Sequence, residues 1–213
     1  MNNAVVRGLA GLRRAVAGPD YPRVRAPGRP AGKLARFGPP LAVLALLGLL
    51  LITYQYLWSV RGINLMAWAL AALTVAPAAL MLDRPLLAWR LCIVGGVVGT
   101  GWATAGEALP WNPVQVFVTL AVLVVVALRA DRVVVFWVGL ITVFVAFYFV
   151  PDPASFYGLM LLVAALLAIG SSFRRVRQVE GELAEQAGVT EREQARRGLL
   201  EERARIAREL HDV

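Results

Sequence analysis

His211 and Asp212 are the residues of this chain best suited to chemistry. His211 is the only histidine among 213 residues, and Asp212 follows it directly. A neutral imidazole is a nucleophile, and a carboxylate beside it can hold or remove the proton on the second ring nitrogen. That pair suits attack on the γ-phosphoryl group of a nucleotide, with His211 as phosphoacceptor and Asp212 as general base. The competing use of Asp212 is an ordinary ion pair with Arg208, four residues earlier.

Such a pair needs an element that places it at an accessible edge. From Gln194 onward the composition favours helix. Leu199, Ile206, Leu210 and Val213, spaced seven, four and three, form one apolar stripe of the kind that buries against partner helices. Glu193–Arg197 and Glu201–Arg205 add i,i+4 support. His211 lies about 100° round the helix from Leu210, which puts it at the edge of the stripe. The helical pattern runs uncapped to Val213, as expected of a chain cut within a longer one.

The string Glu202-Arg203-Ala204-Arg205-Ile206-Ala207-Arg208-Glu209-Leu210-His211-Asp212 resembles the phosphoacceptor helix of two-component sensor histidine kinases. It is similar to the class that signals to NarL-type response regulators, whose motif reads E-R-x-R-I-A-R-E/D-L-H-D. The resemblance covers about a dozen residues. It implies that His211 is phosphorylated from ATP with Mg2+ and that Asp212 activates it. It implies a homodimer through a four-helix bundle, and transfer of the phosphoryl group to an aspartate of a cognate response regulator with DNA-binding output. The family's second bundle helix and ATP-binding domain are not among these residues, so this stretch alone is expected to be inactive.

Composition places the rest of the chain. It is 59% hydrophobic and 17% charged, with mean hydropathy +0.64, a balance typical of multi-span membrane proteins rather than soluble domains. Six apolar runs are read at 39–58, 63–82, 86–105, 112–128, 133–150 and 155–173, each near the ~20 residues that cross a ~30 Å hydrocarbon core. With the N-terminus inside, 21 of the 22 Lys and Arg residues are cytoplasmic and only Arg61 is outside. The positive-inside rule therefore predicts six spans in the plasma membrane with both termini cytoplasmic. Trp58, Trp111 and Tyr157 near span ends suit an aromatic belt. Glu107 and Arg61 are read as interfacial charges facing water. Arg90, one turn into the third run, is read as snorkelling to the headgroups. Gly95, Gly96, Gly99 and Gly101 mark that run as a close-packing helix. Cys92 is read as a small hydrophobe, and no metal-ligand cluster is spaced along the chain.

The expected fold class is all-α: a six-span helical bundle, then a cytoplasmic coiled-coil-like helix entering the dimerisation and phosphoacceptor helix. Residues 1–38 are expected to be a disordered basic tail, with eight Lys or Arg against Asp20 alone. Its charge suits anionic lipid or topology control rather than nucleic acid. Residues 39–173 form the sensor region. Residues 174–197 form a signalling linker carrying Val176, Val179 and Leu183, interrupted by Gly181 and Gly188. Residues 198–213 begin the phosphoacceptor domain. The alternatives are a six-span transporter, disfavoured by the lack of intramembrane acids and matched broken helices, and a membrane anchor or regulator without kinase activity.

Overall fold

The computed structural model describes residues 3–21, 38–62, 65–101 and 110–176, with 179, 181, 183 and 186. The chain divides into two units, residues 1–171 and 172–213. Among the described residues the structure is helical throughout, with no strand.

Helix α1 (Asn3–Ala17) is followed by α2 (Gly38–Arg61), α3 (Leu65–Leu80), α4 (Pro85–Thr100), α5 (Pro113–Arg129) and α6 (Arg132–Phe149). Helix α7 spans Pro153–Val176. Helices α2 to α7 coincide with the six apolar runs, and local chemistry sets their bounds. Pro85 and Pro113 occupy first-turn positions, where a missing N–H costs nothing. The Asn112 side chain accepts from the Gln115 amide at 2.7 Å, and Asp152 does the same for Ser155 at 2.8 Å. Those hydrogen bonds favour the ionised Asp152 carboxylate and hold its pKa below the usual 3.8. Between α5 and α6, Ala130 and Asp131 adopt extended backbone, which ends one helix and starts the next within two residues.

Among the described residues, three helices are long and apolar enough to cross a membrane, the signature of a membrane protein: Pro40–Val60 within α2, then α6 and α7. Helices α3, α4 and α5 are apolar but have 16, 16 and 17 residues. Sixteen residues rise about 24 Å, short of a ~30 Å core. A turn at residues 81–83, closed by Asp83 and Arg84 amides on the Leu80 carbonyl, ends α3 before its apolar run is spent.

One core gathers Leu86, Trp89 and Cys92 of α4, Val122, Leu123 and Val126 of α5, Val134 and Val138 of α6, and Val163 of α7. Inside it the Trp89 indole donates to the Thr142 hydroxyl at 3.0 Å, so a buried polar pair is satisfied within the apolar layer. A smaller cluster joins Leu57 of α2 to Ala67, Leu70 and Ala71 of α3. The outer face of α2 remains apolar and exposed, with Leu41, Leu44 and Ile52 each over 60% accessible, as lipid-facing side chains are.

The tail departs from expectation. Its composition predicts disorder over residues 1–38, yet residues 3–17 form helix α1. The prolines that suggested a coil begin at Pro19, so they bound this helix rather than interrupt it.

Candidate functional site

His211 and Asp212 lie outside the described residues, as do Glu107, Gly188 and the whole phosphoacceptor string. The densest polar constellation among the described residues is elsewhere, where α1 meets the starts of α4 and α6.

Helix α1 turns Gly8, Gly11, Leu12 and Ala15 inward, a three-one-three spacing that makes one face. Gly11 abuts Val133 and Trp137 of α6 so closely that a Cβ would overlap Val133. This approach lets the Trp137 indole donate to the Gly8 carbonyl at 2.9 Å. The helix ends at Gly18, whose amide returns to the Arg14 carbonyl, and Pro19 prevents continuation.

Two side chains then cap the helices reciprocally. Arg90 of α4 donates to the last carbonyls of α1: Nε to Ala15 at 2.9 Å, and one terminal nitrogen to Arg14 and Gly18 at 2.8 Å each. In return, the Asp20 carboxylate accepts from the Leu86 and Leu87 amides in the first turn of α4, both at 2.9 Å. A cation at a helix C-terminus and an anion at a helix N-terminus each meet a favourable partial charge, worth about 0.3–1 kcal/mol at exposed sites and up to ~2 when partly buried. Arg84, the residue at the N-cap position of α4, makes no side-chain cap. The cap comes from 66 residues earlier in the chain.

A second polar group closes the junction with α6. The Tyr21 hydroxyl donates to Asp131 Oδ2 at 2.8 Å and accepts from the Asp131 amide at 3.1 Å. Partial burial and then the neighbouring carboxylate raise the Tyr21 pKa above its ordinary 10.0, although the amide bond opposes this. The Arg14 guanidinium stacks 4.2 Å over the Tyr21 ring and lies 3.6 Å from Asp131. Both partners of that ion pair are exposed enough for it to contribute little, and the stacking is the more useful contact. Arg129 donates to the Leu82 carbonyl, tying the end of α5 to the turn after α3. The constellation positions helices. Its charged groups are bound to backbone or to one another, which suits a structural clamp rather than a catalytic centre.

Further into the core, a cavity of about 50 Å³ lies among α4, α5, α6 and α7, beside Cys92, Trp111, Gln115, Thr119, Thr142 and Met160. Its surface is almost wholly apolar, which does not favour water inside it. The Thr119 and Thr142 hydroxyls are bonded to the Gln115 and Val138 carbonyls.

Arg90, read from sequence as a snorkelling side chain, is instead the cap of α1. Gly95 and Gly96 do serve close packing: a Cβ at Gly95 would meet Leu73 Cγ at 3.2 Å, and one at Gly96 the Trp111 indole nitrogen at 3.4 Å. Trp111 turns inward, its indole donating to the Gly96 carbonyl at 3.2 Å rather than lying in a belt. Trp58 and Tyr157 are exposed near the ends of their helices. Cys92 is buried and free. Asp20, Tyr21 and Gly11 were not marked by the sequence. The usable signal was the small-residue face Gly8, Gly11 and Ala15, followed by the tail's single acid.

No known protein family, curated protein or solved structure matches this chain.

Proposed function

We propose that this chain is the membrane sensor portion of a two-component histidine kinase that passes a phosphoryl group to a NarL-type response regulator. The observation that carries the reading is the unbroken string from Glu202 to Asp212, which fits the phosphoacceptor motif at each fixed position. Its placement after a series of apolar helices supports it, because a receptor of this kind joins a membrane region to a cytoplasmic helix. In this reading α2 to α7 are six spans, with the shorter α3, α4 and α5 packed against one another, and both termini face the cytoplasm by the distribution of basic residues.

His211 is the phosphoacceptor. One imidazole nitrogen forms the bond to the γ-phosphorus, the bond to the bridging oxygen breaks, and ADP leaves. Asp212 takes the proton from the other nitrogen. ATP with Mg2+ belongs to a domain that the resemblance requires and these 213 residues do not contain. The protein acts as a homodimer, and a response-regulator aspartate receives the phosphoryl group.

The test is labelling of the full-length protein in membranes with γ-labelled ATP. The unmodified protein is expected to incorporate acid-labile label and to pass it to its regulator, and His211→Gln to incorporate none. Label retained in that variant refutes the assignment.

A further inference from the structure

We infer that α1 seats an apolar flank in lipid at the anionic headgroup end of α6, while the Arg90–Asp20 clamp holds it to the helical bundle. The inference rests on the chain's placement in a membrane and is independent of the kinase reading.

Three observations converge. The first is depth. The charged residues Asp83, Arg84, Arg129, Asp131 and Arg132 cluster in sequence at the clamp end of α3 to α6. Arg14 meets Asp131 there, but Gly8 meets Trp137, six residues further along α6. Six residues of helix advance about 9 Å. Over the same six residues α1 itself advances about 9 Å, so it runs beside the start of α6, with its Arg14 turn at the charged level and its Gly8 turn toward the apolar zone.

The second is the division of its surface. Val5, Leu9 and Val16, spaced four and seven, share one flank, and each is more than half exposed. This flank adjoins the docked face but touches no part of the bundle closely enough to be buried. Arg7 and Arg14, seven apart, share the opposite side, and exposed Arg13 lies about 40° from Leu9 at the border of the apolar flank. The helix thus has a docked face, an apolar flank and a basic side.

The third is charge. The first 38 residues carry eight Lys or Arg and one acid, and that acid, Asp20, is occupied by the α4 amides. Such an excess beside an apolar flank matches an anionic lipid surface, with about 1 kcal/mol per basic residue close to it.

The experiment uses the whole chain reconstituted in vesicles, in a Cys92→Ser background. Leu9→Cys and Ala10→Cys, adjacent positions about 100° apart on the helix and both exposed, each carry an environment-sensitive fluorophore. Doxyl-labelled phosphatidylcholine probes lipid contact, and iodide probes water contact. The Leu9 label is expected to lose emission to doxyl lipid and to resist iodide, and the Ala10 label to behave oppositely. The Leu9 lipid quenching is expected to be stronger with phosphatidylglycerol than in pure phosphatidylcholine, and added salt to erase that difference. Val16→Cys, on the same flank, repeats the measurement should Leu9→Cys perturb folding. Iodide quenching at both flank positions without lipid quenching overturns the proposal. So does a disulfide between two copies through Leu9→Cys with loss of lipid quenching, which assigns the flank to a second copy. Equal quenching in both lipids overturns the anionic preference.

Discussion

The two ends of α4 are held in different ways. Its start is fixed by polar groups reaching across the sequence: Asp20 on its first amides, and Arg90 on the carbonyls of α1. Its far end is fixed by shape, with Gly95 against Leu73 and Gly96 against Trp111. The first kind of contact is sensitive to the loss of a hydrogen-bonding group and tolerant of modest changes in bulk. The second is sensitive to added volume and indifferent to charge. One helix therefore joins an adjustable polar junction at one end to a rigid close-packed seat at the other.

The comparison breaks most readily at Arg90. Arg90→Met keeps length and apolar bulk but removes three donors from the end of α1. The cost is on the order of 3 kcal/mol, since it strands carbonyls that lose charged partners. Hydrogen exchange of the α1 amides reads it directly, and α1 is expected to lose protection while α5 keeps its own. Protection of α1 as in the unmodified protein shows that packing alone holds it. Arg90→Lys is expected to fall between, because an ammonium cannot span carbonyls as the planar guanidinium does.

The opposite end is sharpened by Gly95→Val. The added branches meet Leu73, and overpacking of this kind costs about 2 kcal/mol. Thermal unfolding in detergent is expected to shift down, with α1 protection unchanged. A variant as stable as the parent means that α3 and α4 have room to separate. The smallest effect is expected from pH. Tyr21 has a raised pKa, so its contribution to the clamp is complete below 10.0 and is lost as pH rises through the higher folded value. An ionised Tyr21 can no longer donate to Asp131 and is repelled by it. Tryptophan emission from the Trp137 contact is expected to change over that range, and Tyr21→Phe to remove the change.

Much of the scaffold was legible in the sequence because its boundaries are chemical. Asn112-Pro113 and Asp152-Pro153 each combine a capping side chain with a helix-initiating proline at the edge of an apolar run, where α5 and α7 start, and the charged break Arg129-Ala130-Asp131-Arg132 marks the start of α6. Span count was less legible, because hydropathy follows apolar residues through the turn at 81–83 where the helix itself stops. Helix α1 was hidden by averaging: Arg, Gly and Pro over 38 residues suggest coil, but the prolines begin only at Pro19. The role of Arg90 was not readable, since its partners lie 72 to 76 residues away and nothing local marks them. His211 and Asp212 were read from a motif, and the described residues do not extend to them.

The contact between Gly8 and Trp137 also orders events during synthesis. Its partners are separated by 129 residues, so at ~5–20 residues per second α1 emerges roughly 6 to 26 s before its seat on α6 exists. Helix α1 is made before α2 to α6 yet is placed only once α6 has followed. Throughout that interval the docked face of Gly8, Gly11, Leu12 and Ala15 lacks its seat, and the nearest apolar medium is the bilayer into which the later helices are being inserted.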